Sequence, residues 1–317
     1  MLMDKPLVSI VCTAYNHEPY IRDCLEGFVM QQTNFPFEVL INDDASTDHT
    51  ADIIREYEAK YPDIIKPIYQ TENQYSKGVR INITYCYPRA QGKYIALCEG
   101  DDFWCDPHKL QIQFDFMESH PDYSMCGTGI YVLDHIDHTY RPIAFPKIDF
   151  DGKSTELSLK ILSCEHPFRT PTIFFRKQVF IEAREDIERD TKDAPMGDLQ
   201  IFFHMSLRGK IKFITKRMAA YRKNTSSVSH YNNVGQYNMF VKKCQRTICK
   251  IAAANGFAEY VPELSSLMKK NAEYGNRQKS RLLKKLIWFK RLINGYFRNY
   301  NKFIKMSPHD RVRFRID

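Results

Sequence analysis

The chain has 317 residues, 43% hydrophobic and 26% charged, with only 13 Gly and 15 Pro. That is globular composition with room for one large or two medium domains, and it excludes disordered, collagen-like and low-complexity classes. No apolar run reaches the roughly 18 residues of a membrane-spanning helix, and the net charge of +8 makes nucleic acid and anionic lipid the partners to weigh.

Met1 to Tyr15 lacks a signal-peptide layout, because Asp4 and Lys5 interrupt it and its apolar stretch is short, so a cytosolic chain is expected. Leu7–Cys12 is an apolar, β-rich run and predicts a buried strand. It ends in the polar loop Thr13–His17, and a helical stretch follows to about Gln31. Phe37–Ile41 predicts a second strand, stopping at Asn42-Asp43-Asp44. Ser46 or Thr47 is placed to cap the next helix, whose inner face carries Ile53, Ile54, Tyr57 and Tyr61. Ile64–Tyr69 and Tyr94–Cys98 predict two more strands, the last running into Glu99-Gly100-Asp101-Asp102. Asp106-Pro107 reads as an N-cap with Pro at the first helical position, and Leu110, Phe114 and Met117 form that helix's inner stripe.

Further strands are expected at Met125–Leu133, Thr172–Arg176 and Ile211–Ile214, with a helix at Leu199–Leu207. Beyond about His230 the pattern is helical only. Alternation of strands and helices implies an α/β fold with a mostly parallel sheet covered on both faces. The expected organisation is an α/β domain over 1–235, with halves 1–120 and 121–235, and a helical C-terminal region over 236–317. The nine cysteines are scattered, odd in number and without a CxxC pair, so they read as reduced packing thiols.

Three polar clusters follow buried strands: Thr13 and Tyr15, Asp43 and Asp44, Asp101 and Asp102. In open α/β sheets, ligands bind beyond the carboxyl ends of the strands. A single Asp there is ordinarily a turn or helix cap; three clusters at one end of one sheet are harder to ascribe to turns. The adjacent carboxylates of Asp101 and Asp102, beside Phe103 and Trp104, repel one another, and a divalent cation removes that conflict. Carboxylate oxygens suit Mg2+ or Mn2+, which take substrate phosphates as further ligands. No Walker A or GxGxxG pattern follows the first strand.

The segments Val8-Ser9-Ile10-Val11-Cys12-Thr13-Ala14-Tyr15-Asn16, Asn42-Asp43-Asp44-Ala45-Ser46-Thr47-Asp48, Gly92–Leu97 and Glu99-Gly100-Asp101-Asp102 together resemble the nucleotide-sugar-binding half of a family-2 inverting glycosyltransferase with the GT-A fold. A weaker likeness continues through Gly197-Asp198-Leu199 and Tyr221-Arg222. The resemblance implies a nucleoside-diphosphate sugar donor, UDP- or dTDP-linked, and a divalent metal. It implies Thr13 and Tyr15 in the base pocket, Asp44 accepting from the base N–H, Asp101 on ribose or sugar, and Asp102 on the metal. Arg80 stands where the family often puts a basic contact to the nucleotide. Asp198 matches the catalytic base, with Gly197 in place of the usual Glu; as a bare residue, Asp198 can also simply cap its helix. Arg222 and His230 are candidates to close over the diphosphate, and a solvated basic loop is the other reading. The family's DDGS glycine is Ala45 here, a position strained by about 1 kcal/mol if φ is positive.

From Lys242 to Asp317 there are 19 basic and 5 acidic residues, net +14, against 27 and 33 before it, net −6. Between Arg277 and Lys305 ten cations and no acid are interleaved with apolar residues at helical spacing, including Trp288 and Phe289. Such a segment can lie on an anionic membrane or pack against protein. A peripheral protein at the inner face of the cell membrane, acting on a glycan or lipid-linked acceptor and able to self-associate, is the expectation. A non-catalytic sugar-nucleotide-binding subunit stays open as an alternative. A nucleic-acid binder is suggested only by the tail, and the acidic body disfavours it.

Overall fold

The computed structural model describes residues 5–134, 139–145, 149–192, 194–223 and 234–267. Strands β1 (Val8–Ala14), β2 (Phe37–Asp43), β3 (Ile65–Tyr69) and β4 (Tyr94–Glu99) are parallel, in the order β3–β2–β1–β4. β1 lies between two neighbours and is buried almost throughout, which is why its sequence is a continuous apolar run rather than an alternating one. Helix α1 (Ile21–Val29) connects β1 to β2 and buries Ile21, Cys24, Leu25 and Phe28 at helical spacing. Helix α2 (Thr50–Lys60) buries Ile54 and Tyr57, with Ile53 and Tyr61 packed partly against the same core.

The second half continues the same sheet. β5 (Phe103–Trp104), α3 (Lys109–Ser119), β6 (Tyr123–Asp134), β7 (Thr139–Pro142), β8 (Asp151–Gly152), α4 (Thr155–Leu162) and β9 (Phe174–Arg176) are followed by α5 (Lys177–Thr191), α6 (Asp198–Arg208), β10 (Lys210–Lys223) and α7 (Val234–Ala254). Short β9 pairs antiparallel with both β4 and β6, and so joins the parallel half to a β6–β10 parallel pair. β5 adds antiparallel to β10. The ten-stranded sheet is thus parallel over its first four strands and mixed beyond them.

Three local expectations are corrected. Helix α2 starts at Thr50 with His49 at its N-cap, not at Ser46 or Thr47, because the Ser46 hydroxyl is taken by Asp43 at 2.5 Å. Helix α3 starts at Lys109; Asp106 instead accepts the His108 N–H at 2.9 Å and pairs with Lys216 at 2.7 Å. The stretch expected as a strand from Thr172 opens with a 3-10 turn, Thr170–Thr172, and the paired strand is only Phe174–Arg176.

At the amino end of the sheet, buried Glu38 accepts from the Ser9 hydroxyl at 2.6 Å and from the Gln91 N–H at 2.7 Å. The Ser9 hydroxyl in turn accepts the Gly92 N–H at 2.9 Å. A Cβ on Gly92 would stand 2.5 Å from the Ser9 nitrogen, so only glycine fits there.

The chain divides into two compact units, Met1–Ser265 and Ser266–Asp317. The first of these includes α7. Within it, α7 buries Cys244, Ile248, Ile251 and Ala252, and Phe257 meets Phe203 edge-on at 5.7 Å. No helix among the described residues is long and apolar enough to cross a membrane. The His230 loop and the basic aromatic segment 277–305 lie outside the described residues.

Candidate active site

The parallel register brings the three polar clusters to one edge. Thr13 is paired with Asn42 on one side and with Glu99 on the other, and Ala14 with Asp43. The Thr13 carbonyl accepts the Gly100 N–H at 2.9 Å, which ties the end of β1 to the acidic turn. Asn16 and Ala45 both adopt positive φ, 53° and 59°. The turn that usually carries glycine therefore keeps its left-handed conformation with Ala45 in place, at a local cost of about 1 kcal/mol.

Glu99, Asp101 and Asp102 offer carboxylate oxygens within 4.8 Å of one another. Asp102 is fully buried. Its Oδ1 accepts the Arg222 N–H at 2.8 Å, while its Oδ2 is buried with no hydrogen-bond partner. A buried, unsatisfied carboxylate oxygen is costly, and a bound cation satisfies it where protonation does not. Burial, then repulsion by Asp101 and Glu99, pushes the Asp102 carboxyl well above its ordinary range. Glu99 is pushed up to about 8 by loss of solvation, then by repulsion from Asp101 and Asp198. Its accessible area is that of an exposed residue, so repulsion is the firmer cause. The residues present therefore fit a hard divalent cation with oxygen ligands.

Asp198 opens α6 and is half-buried. Its Oδ1 accepts the Leu199 N–H at 2.9 Å and its Oδ2 faces the Thr170 hydroxyl at 3.4 Å. Its charge is one of those that raise Glu99, so the fold brings this residue of the second half to the acidic triad. A Cβ at Gly197 would meet only a Thr191 methyl, at 3.9 Å, so lack of space does not explain the absent glutamate. The 3-10 turn beside Asp198 is held from the acidic side, because the Trp104 indole N–H donates to the Pro171 carbonyl at 2.9 Å.

Asp44 is buried and engaged: Oδ1 accepts the Gln74 N–H at 2.8 Å and Oδ2 the Tyr75 N–H at 3.0 Å. It thus anchors the loop that carries exposed Tyr75, while Tyr15 is 43% exposed at the end of β1. The Arg80 guanidinium donates to the Thr191 and Ala194 carbonyls at 2.8 and 2.5 Å, so it braces the loop that leads to Asp198. The Arg222 guanidinium is paired with Asp23 and lies over the rings of Phe103 and Tyr20, at 4.8 and 5.3 Å. Its backbone, rather than its side chain, meets the acidic site.

Sequence reading assigned no role to Glu99 or to His17. Glu99 ends β4 two residues before Asp101, and only the turn at Gly100 folds its carboxylate back toward the pair. His17 Nδ1 is buried without a partner; burial lowers its pKa, against the pull of Asp101, Asp48 and Asp43. A Cβ on Gly100 would stand 2.8 Å from that nitrogen.

Comparison with known proteins bears on the family and the fold. A family model described as "Glycosyl transferase family 2" matches residues 9–184. The uncharacterized protein Rv1520 of Mycobacterium tuberculosis is 34% identical over 227 residues, 70% of this chain and 60% of its own length. The chain thus spans about three-fifths of that relative. TuaG of Bacillus subtilis, provisionally named a teichuronic acid biosynthesis glycosyltransferase, is 37% identical over 131 residues, 41% of this chain and 50% of its own. Among solved structures, S. aureus TarS 1–349 in complex with UDP-GlcNAc superposes with a TM-score of 0.57 at 20% identity, covering 81% of this chain and 72% of TarS. The mannosyltransferase PcManGT from Pyrobaculum calidifontis, in complex with GDP-Man and Mn2+, gives 0.51 at 14% identity, covering 88% and 80%. At these identities the two structures establish the shared fold.

Proposed function

The chain belongs to glycosyl transferase family 2, and on that premise we propose that it is a divalent-metal-dependent inverting glycosyltransferase. The donor is a nucleoside-diphosphate sugar, UDP- or dTDP-linked, and the acceptor is a hydroxyl of a glycan or lipid-linked acceptor in polysaccharide biosynthesis. The observation that carries the reading is the unsatisfied, buried Oδ2 of Asp102 beside Glu99 and Asp101, with Asp198 close enough to raise Glu99. The name of TuaG and the ligands of TarS and PcManGT support the donor and pathway class.

Asp102, with Glu99 or Asp101, would hold Mn2+ or Mg2+. When bound, the ion supplies positive charge against the leaving diphosphate. Thr13 and Tyr15 border the base, and Asp44 presents its remaining lone pairs to a base N–H. Asp101 accepts from ribose or sugar hydroxyls. Asp198 orients the acceptor hydroxyl and takes its proton as that oxygen bonds to the anomeric carbon, opposite the breaking bond to diphosphate. The product has inverted configuration. Arg80 acts at a distance, by bracing the 191–197 loop. Arg222 can contact the diphosphate only after its guanidinium leaves Asp23.

Calorimetry with UDP and Mn2+, paired with transfer assays on Asp198→Asn, tests the reading. We expect metal-dependent UDP binding in both proteins and a loss of about 10²–10⁴-fold in turnover in the variant. Normal turnover by Asp198→Asn would remove it from the base role. A cytoplasmic, membrane-peripheral location through the basic tail completes the proposal.

A further inference from the structure

Away from the acidic triad, helices α5 and α7 enclose a groove of about 320 Å³ with a basic lining. Arg189, Lys243, Arg246 and Lys250 border it, with Asp190 and the small side chain of Ala194. Lys243, Arg246 and Lys250 are exposed at i, i+3 and i+7, which puts them on one face of α7. They pair with no acid among the described residues, and α7 contains no acidic residue. Like charges on adjacent turns repel, and a bound anion reverses that cost.

The α5 side is preorganised. Arg189 is held by Asp186 at 2.7 Å, by Asp190 at 2.9 Å and by Asn255 at 3.2 Å. Asp190 is the acid in the lining, and its charge is already engaged. Its second oxygen faces buried His204 Nε2 at 2.8 Å and accepts from Asn255 at 2.9 Å. His204 Nδ1 lies 3.1 Å from an Arg208 nitrogen, which can only donate. The ring proton therefore sits on Nε2 and points at Asp190. The groove presents three free cations and a fixed guanidinium over a compensated acid. It adjoins Ala194, whose carbonyl Arg80 binds four residues before Asp198.

We propose that this groove is a phosphate-binding site that takes the phosphate or diphosphate group of an anionic ligand. Guanidinium and ammonium donors converging on a small basin match phosphate oxygens. Resting on the glycosyltransferase reading, the group belongs to a phosphate-bearing acceptor or to the headgroup of the bilayer that presents it.

The test uses the full chain in metal-free buffer, where the acidic triad repels anions. Inorganic pyrophosphate is titrated calorimetrically, and vesicles of phosphatidylcholine with and without phosphatidylglycerol are co-sedimented. Replacing Lys243→Ala and Lys250→Ala together should weaken pyrophosphate about tenfold or more, since two charged hydrogen-bond donors are lost. The paired Lys→Arg variant should keep the affinity, as should an equal charge loss at Lys60 and Lys66. Loss of phosphatidylglycerol binding alongside pyrophosphate assigns the group to headgroups; its retention assigns it to the acceptor. Unchanged pyrophosphate affinity in the alanine pair, or equal weakening in the Lys60 and Lys66 control, overturns the site. UDP–Mn2+ binding is measured separately, so failure of the transferase reading leaves this outcome readable.

Discussion

On the proposed reading, Asp102 combines a structural with a chemical duty. Oδ1 is fixed by the Arg222 N–H, so the carboxylate cannot turn away, and Oδ2 is left for a ligand. Asp102→Asn keeps the shape but removes the charge. It should lower Mn2+-dependent UDP affinity by at least about 100-fold while leaving the melting temperature of the metal-free protein unchanged or higher; wild-type affinity would remove Asp102 as a ligand. The raised carboxyls add a pH signature. Glu99, at about 8, holds a proton near neutrality when no cation is bound, and burial with repulsion by Asp101 and Glu99 moves Asp102 in the same direction. Metal binding should therefore release protons and tighten as pH rises toward 8, measurable by calorimetry in buffers of different ionisation enthalpy. Ala45 was readable from sequence as a departure from the family's glycine; that its φ is nonetheless positive was not, because neighbours set that angle.

Helix α3 is the element least like its sequence pattern. Leu110 and Met117 are buried as the stripe requires, but so are Lys109 and Gln113. Lys109 Nζ donates to Gln113 at 2.6 Å and lies 4.0 Å from the Trp104 ring centroid. Burial lowers its pKa from 10.5 to about 7. Below about pH 7 the folded protein carries a buried ammonium; between there and 10.5 the unfolded chain binds the extra proton, so stability rises with pH. Lys109→Met should stabilise the protein at pH 7 and flatten the rise in melting temperature between pH 7 and 10. Parallel pH curves for variant and wild type would show that Lys109 titrates normally. A lysine next to an apolar stripe ordinarily stays solvated; here Trp104 and Gln113, brought in by the fold, enclose it.

At the scale of the molecule, the sheet itself is the positioning device, and its tightest joint is far from the chemistry. Gly92→Ala forces a Cβ against the backbone of Val8 and Ser9 at the amino end of β1. A loss of about 3 kcal/mol in urea unfolding is expected, against little effect on Mn2+–UDP binding in the protein that remains folded; a wild-type midpoint would show that the strands can separate at no cost. The alternating strands, the polar ends of β1, β2 and β4 and the helix behind Asp198 were all legible, because hydrophobic period and strand-end polarity are local properties. Mixed strand direction around β9, the length of β10, the burial of Lys109 and the joining of Glu99 to the acid pair were not, because each depends on which distant segment arrives alongside. Arg80 makes the same point: its charge is written in the chain, but its role as a brace is set by the carbonyls of Thr191 and Ala194, more than a hundred residues away. Sequence alone determined the chemistry available and the order in which it appears. Tertiary structure decided which of those groups are buried together, since desolvation and repulsion, which raise Glu99 and Asp102, exist only once the chain has folded.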